Sequence, residues 1–513
     1  MKKLFAALGL IGLLILPACA GPALSPTSPS VPSVPTQTLP PTAESAEPTA
    51  STISTPHPTA TPVPPSPTPD PPRTNTPDLS AFGEGWATFS YKLQPGDDLG
   101  KIAAQYGVTY DQIRAANGFD GGETRYPGQV ILVPQKIQRA SPPLKLLPDS
   151  ELVYGPGTIG FDTLASIARY KRGYLYNYSE TVNGESVSGA ALVQRAAESY
   201  SLNPRLLIAL VEYQSGWLTQ AGPAETIYPF GRAEGGTEGL YRQLQWTANA
   251  LNRGFYGWRD GSLSLLILGD GRRVGLSDGL NAGTTSLQYF FSLTTTADEW
   301  EAAVSMDGFI ATYTDLFGDP FTNAVEPLVS PALTQPELSL PWQGGETWFY
   351  SGGPHPSFGP GSSWGAVDFL PPGRESRCEA PGNWVTAVAP GVVARSGDGQ
   401  LLLDLDQDGF EQTGWVILYL HVAEEGRPEA GAYLNRGDHV GHPSCEGGFA
   451  KDAHIHLARK HNGVWLAVDG IAPFVLGDYT VTSSGQEYNG ALVSSGDSKA
   501  ACACRESSNA VTK

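Results

Sequence analysis

Positive charge is what this chain is short of. Lys and Arg number 32 against 51 Asp and Glu, a formal net charge of −19 over 513 residues. Phosphate backbones need a basic surface, so a nucleic-acid partner is excluded. Aromatic residues are absent from Gly21 to Ser80, where 39 of 60 residues are Pro, Ser or Thr. Such a segment has too little apolar surface to offset its ordering entropy, which excludes a folded domain there. It reads as an extended stalk over 20–85, with a reach of roughly 190 Å at about 3.1 Å per residue. The opening apolar run, "MKKLFAALGLIGLLILPACA", is short for a membrane span. Two lysines, an apolar stretch and then small residues form a secretory signal. At this length about three domains are expected.

The run ends at Leu16-Pro17-Ala18-Cys19, which resembles the lipobox of bacterial lipoproteins. Pro17 departs from the small or β-branched residue usual at that position. The resemblance implies lipidation at Cys19 and an N-terminal membrane anchor; an ordinary signal peptide would release the protein instead. Either outcome places the mature chain outside the cytoplasm, in the bacterial cell envelope or secreted, where disulfides persist.

Order is expected from residue 86. "FSYKLQPGDDLGKIAAQYGVTYDQIRAANGFDGGETRYPGQVILVP" reads strand, helix, helix, strand. Tyr91 and Leu93 alternate, whereas Leu99, Ile102, Ala103 and Tyr106 follow helical spacing. Thr109 caps a second helix through Asn117, and Val130, Leu132 and Val133 lie on the closing strand. This small α+β module over 86–136 resembles the LysM domain. The resemblance implies binding of N-acetylglucosamine polymers such as peptidoglycan between two loops, through Gly96, Asp97, Asp98 and Leu99 on one side and Tyr126, Pro127 and Gly128 on the other.

A helical domain follows over 150–330. "VSGAALVQRAAESYSLNPRLLIALVEYQSGWL" gives two amphipathic helices divided by Asn203-Pro204, the second ending near Ser215-Gly216. "PRLLIALVEYQSGW" resembles the catalytic helix of lysozyme-like lytic transglycosylases, in which a glutamate precedes the serine. Gln214 stands there instead, and an amide is no general acid. Glu212 lies two residues away, on another face of the helix. The domain is therefore expected to be lysozyme-like and non-catalytic.

From 338 to 480 short alternating strands and Gly-rich turns predict a mainly antiparallel β domain. The whole chain is thus a multidomain protein: α+β module, α-helical middle domain, β C-terminal domain. A catalytic zinc site needs about three N, O or S ligands on rigid elements and one open position. "GGPHPSFGPGSSWGAVDF" carries His355 and Asp368, "WVILYLHV" ends in His421, and "HIH" supplies His454 and His456. On a strand, His454 and His456 share a face. His421 alternates with Ile417 and Tyr419.

This ordered set resembles the peptidoglycan-cleaving zinc metalloendopeptidases that include lysostaphin and the β-lytic and staphylolytic proteases. The resemblance implies Zn²⁺ held by His355, Asp368 and His456, with His421 and His454 as catalytic residues beside it. Zinc lowers the pKa of its water toward ~7 and polarises the scissile carbonyl, and a neighbouring imidazole can take the proton. The function expected is hydrolysis of stem peptides or cross-bridges in peptidoglycan. The alternative is a non-catalytic wall-binding scaffold with an idle zinc site.

His439 and His442 are expected in a loop near the site entrance and His461 at the surface. "DLDQDGFEQTGW" begins like a calcium loop, but Trp415 occupies the twelfth position where a bidentate glutamate belongs, so a hairpin turn is expected. With Cys19 set aside, four cysteines allow three pairings. Cys378–Cys445 is expected to staple two loops. Cys502 and Cys504, in the expected C-terminal tail 481–513, are open to a small ring or two free thiols.

Overall fold

A computed structural model describes residues 79, 82–93, 97–120, 129–373, 378 and 381–513. Cys19, Gly96, Tyr126, Pro127 and Gly128, together with the signal segment and almost all of the stalk, lie outside the described residues. Among the described residues no helix is long and apolar enough to cross a membrane.

The first module consists of β1 (Trp86–Lys92), α1 (Leu99–Tyr106), α2 (Tyr110–Asn117) and β2 (Val130–Lys136). Asp98 caps α1 by accepting from Lys101 N at 2.8 Å. Thr109 and Gln112 close a reciprocal capping box on α2. Gly107 and Gly118 end the two helices in the left-handed conformation. Asn117 then ties α2 to β2, its side chain bonding both Leu132 N and Leu132 O. Leu99, Ile102, Ile113, Ile131 and Val133 fill the small core.

In the helical domain the hairpin β3 (Ser179–Val182) and β4 (Glu185–Ser188) leads into α3 (Gly189–Tyr200) and α4 (Pro204–Ser215). Longer helices α5 (Leu240–Arg259) and α6 (Ala282–Thr294) pack against them, and α7 (Phe309–Phe317) follows. Asn203 caps α4 with Pro204 in its first turn, and Gly216 closes it at φ 68°. Gln214 donates to Thr294 Oγ1 at 3.1 Å. Glu212 accepts from Leu218 N, Thr219 N and Thr219 Oγ1. Both side chains thus hold the turns around the end of α4.

The C-terminal domain is built on an antiparallel sheet. Its strands are β5 (Thr347–Pro356), β6 (Trp364–Leu370), β7 (Gly391–Gly397), β8 (Gln400–Asp404), β9 (Trp415–Leu420) and β10 (Ile455–His461). Their order is β7-β8-β9-β10-β6-β5. One face buries Val367, Phe369, Leu403, Ile417, Tyr419, Ile455 and Leu457 in the domain's own core. The other face presents Ala366, Leu402, Val416, Leu418, Leu420 and Ala458 to the helical domain, and this core is continuous with that of the helices. The β8–β9 connection is a hairpin loop in which Asp404 accepts from Asp406 N and Gly409 N.

Residues 481–513 are not a tail. Strands β11 (Tyr479–Ser483) and β12 (Gly490–Ser494) belong to a second sheet, and β13 (Ala510–Thr512) pairs with β5 at the edge of the main sheet. Alternating Thr480/Val481/Thr482 and Ala491/Leu492 supply the strand pattern, burying Val481 and Leu492. Cys502 and Cys504 are bonded to each other, as are Cys378 and Cys445.

Candidate metal centre

Strand register brings three distant residues together. Asp368 on β6 stands opposite His456 on β10 and opposite Gly352 on β5. Opposed residues in an antiparallel pair share a face. Between Tyr350 and His355 strand β5 takes five steps against three on β6, from Phe369 to Ala366. These bulges bend the strand and aim His355 across the same face. Gly352 is required there, because a Cβ would lie 2.4 Å from Asp368 Oδ2.

The three residues are 3 to 8 % exposed. His355 Nε2 lies 3.4 Å and His456 Nδ1 3.3 Å from Asp368 Oδ1. The two imidazole nitrogens face each other at 3.0 Å. Each ring's other nitrogen is committed: His355 Nδ1–H donates to Gly353 O at 2.8 Å, and His456 Nε2–H to Ser357 O at 2.9 Å. Carbonyls only accept, so in the neutral rings both facing nitrogens are bare lone pairs. Asp368 Oδ1, aimed at the same point, is buried with no hydrogen-bond partner. Two lone pairs and an orphaned carboxylate oxygen around one point are mutually unfavourable until a cation joins them.

The ionisation states agree. Burial alone would push Asp368 up, but His355, His454 and His456 outweigh it and hold the carboxyl well below the usual carboxylate range. Burial pushes His355 down, against the opposing pull of Asp368. An anionic Asp368 oxygen and a His355 ring kept neutral by burial suit a divalent cation.

His421 and His454 flank the triad with ring centroids 4.5 Å apart. His454 Nδ1–H donates to Asp452 O at 2.8 Å, and His454 Nε2 lies 3.8 Å from Asp368 Oδ1. His421 Nδ1–H donates to Glu446 O at 2.7 Å. Both residues line the cleft, and the bond each makes through Nδ1–H leaves Nε2 as the acceptor of the neutral ring. Burial, then His454 and His456, pull His421 down to about 3, which keeps its ring neutral.

The expected strand alternation of His421 with Ile417 and Tyr419 does not hold. That parity points into the core of the C-terminal domain, away from His456. At φ 66° His421 leaves the strand in the left-handed region, and the turn swings the ring onto the face of the triad. The segment Ser444–Glu446 braces both flanking histidines. Ser444 N donates to His421 O, Ser444 bridges His454, and Cys445 is bonded to Cys378.

Other expected residues fall elsewhere. His439 and His442 pack on the Trp384 indole, at 4.0 and 3.8 Å between centroids, and line no part of the cleft. His461 is half-buried against Trp415. In the first module Leu99 sits in the core, Asp98 caps α1, and Asp97 accepts from Tyr91 Oη at 2.9 Å. One neighbour of the triad went unread in the sequence. Tyr488, in the β11–β12 turn, stacks on His355 with centroids 4.4 Å apart. Burial, with Asp368 and Glu487 nearby, pushes its hydroxyl up to about 12, so it stays a donor. Its only sequence signal is the Asn-Gly after it, which marks a turn and not a site.

The triad opens into a cleft of about 1720 Å³ with two walls. One is the face of the C-terminal sheet; the other is helical, with Arg195, Ser199 and Tyr200 of α3 and Tyr241 and Gln245 of α5.

Comparison with known proteins matches two segments of the chain to family models. Residues 91–134 match the LysM domain model, and residues 145–330 match the model of the LasA, N-terminal domain. The chain carries a LysM domain and a LasA N-terminal domain. It is similar to Protease LasA of Pseudomonas aeruginosa, at 24% identity over 306 residues, 56% of this chain and 69% of the relative. Among solved structures, the M23 metalloprotease pseudoalterin from the deep sea is 21% identical, spanning 33% of this chain and 96% of its own, with a TM-score of 0.27. The catalytic domain of lysostaphin from Staphylococcus simulans is 20% identical over 25% of this chain and 89% of its own, with a TM-score of 0.18.

Proposed function

We propose that this chain is a cell-envelope peptidoglycan endopeptidase that hydrolyses stem peptides or cross-bridges at a zinc site formed by His355, Asp368 and His456. The observation that carries the reading is the convergence of two imidazole lone pairs and a buried, unpartnered carboxylate oxygen on one point. Similarity to Protease LasA supports the same class of reaction. Zinc, when bound, supplies Lewis acidity toward a carbonyl and makes water a nucleophile near neutral pH.

The chain's own groups do the rest. His454 and His421 line the cleft with Nε2 as the acceptor of each ring, so either can take the proton of an attacking water and return it to the leaving amine. The Tyr488 hydroxyl, held protonated beside His355, is placed to donate to charge developing on the carbonyl oxygen. The LysM domain is assigned to the N-acetylglucosamine glycan. The N-terminal signal and Cys19 would place the protein outside the cytoplasm, lipid-anchored or released.

The test is digestion of purified peptidoglycan by the full chain. Chelator-sensitive release of new amino groups, without new reducing ends, is the expected result. Zinc binding with no released amines from walls of several cross-link types would favour a non-catalytic scaffold. New reducing ends would move the chemistry to the helical domain.

A further inference from the structure

The loop between the first two metal ligands, residues 357–363, is held from outside the C-terminal domain. Its Ser357 carbonyl accepts the Nε2–H of His456 and so fixes which nitrogen of that ring faces the metal position. Within the loop, Ser357 N donates to Ser363 O, Phe358 N to Ser362 Oγ, and Ser362 Oγ to Gly359 O. These bonds make the loop a stiff unit, so its position depends on what it rests against.

It rests on α3 and α5. Gly361 N donates to Asn249 Oδ1 at 3.2 Å, and Asn249 Nδ2 donates to Gln245 O one helical turn back. The Phe358 ring meets Tyr200 edge to face with centroids 5.1 Å apart. Contact is close enough to demand glycine twice. A Cβ on Gly361 would lie 2.0 Å from Asn249 O, and one on Gly359 would lie 2.6 Å from both Asn249 Oδ1 and the Tyr200 ring.

We propose that Asn249 and Tyr200 of the helical domain are positioning residues for the metal ligand His456, clamping the 357–363 loop that orients its ring. The inference rests on the zinc reading of the triad and adds to it a contribution from a second domain. Outer partners of a metal ligand are worth about 10–100-fold in metal affinity. Asn249 acts through one further link, so the low end of that range applies.

The experiment is zinc affinity of the full-length chain, measured by competition with a chelator of known affinity, alongside thermal melting of the metal-free protein. Asn249→Ala is expected to weaken zinc binding about tenfold. Asn249→Asp keeps the acceptor for Gly361 N–H and is expected to stay within about twofold of wild type. Gly361→Ala perturbs the contact from the loop side and is expected to weaken zinc as Asn249→Ala does. A folded Asn249→Ala chain with wild-type zinc affinity overturns the proposal, whatever its melting temperature. So does an Asn249→Asp chain that loses as much affinity as Asn249→Ala. If Asn249→Ala does not fold, unchanged affinity in Gly361→Ala overturns it equally. A wild-type chain that binds no zinc removes the metal reading and the clamp together, whereas a zinc-binding wild type matched by Asn249→Ala removes the clamp alone.

Discussion

Substituting Glu411→Gln isolates the charge network at the joint between the helical and C-terminal domains. The Glu411 carboxylate serves two cations. Arg395 Nε lies 2.7 Å from Oε1, and Lys460 Nζ 2.8 Å from Oε2. Lys460 is fully buried and the Glu411 side chain 7 % exposed. Arg395 also donates to Glu198 O of α3, so the network crosses the joint. Removing one partner of a buried pair costs about 3–5 kcal/mol, because the other charge is left unmatched.

A second route gives the same order. Burial works against ionisation of Glu411, but Arg395 and Lys460 outweigh it and hold the carboxyl at about 2, against 4.5 in the unfolded chain. That difference contributes about 3 kcal/mol of stability at neutral pH. Burial already pulls the Lys460 ammonium down, so loss of its partner lets it shed its proton, which favours the lower figure. The sign follows from the lowered carboxyl: the contribution is complete above pH ~4.5 and is lost as pH falls toward about 2. Equilibrium urea unfolding of wild type and Glu411→Gln should therefore differ by about 3 kcal/mol at pH 7 and converge near pH 2. A difference below about 1 kcal/mol at pH 7, or one independent of pH, would refute the reasoning.

Three further outcomes follow from the geometry. Gly352→Ala places a methyl group against Asp368 and should leave a folded chain with little bound zinc; full zinc content would show that Asp368 is not a ligand in this geometry. His421→Asn keeps a residue that tolerates positive φ, so melting should change little while amine release falls about 10²-fold or more, and a retained rate would remove His421 from the chemistry. Replacing Cys378 and Cys445 together by Ser opens a loop of separation 67 and should cost about 4 kcal/mol in urea unfolding; an unchanged midpoint would contradict that role.

Part of the candidate site is legible in the sequence through residue type and through the family resemblance that its ordered motifs carry. His355, Asp368 and His456 are candidate ligands by that resemblance, and the LysM helices and the Thr109 cap follow from residue type and apolar spacing, whereas the Asp98 cap is seen only in the structure. The sequence misleads at His421, since a pattern of period two carries no sign of a left-handed residue at the strand end. It is silent on Tyr488, whose place beside His355 comes from a distant hairpin and leaves no local pattern. Residues 481–513 look like a tail for a related reason. Short strands such as Ala510–Thr512 are stabilised by their partner, here β5, and not by their own composition. Long-range packing also decides that helices α3 and α5 form the second wall of the cleft.

The central claim is that His456 holds the metal and His454 does not. It is tested most directly by measuring zinc content and amine-release rate together in the full chain for His456→Ala and His454→Ala. The account predicts that His456→Ala loses most of its zinc, whereas His454→Ala keeps about one zinc per chain and loses rate. Equal loss of zinc in both variants, or full zinc in His456→Ala, would contradict it.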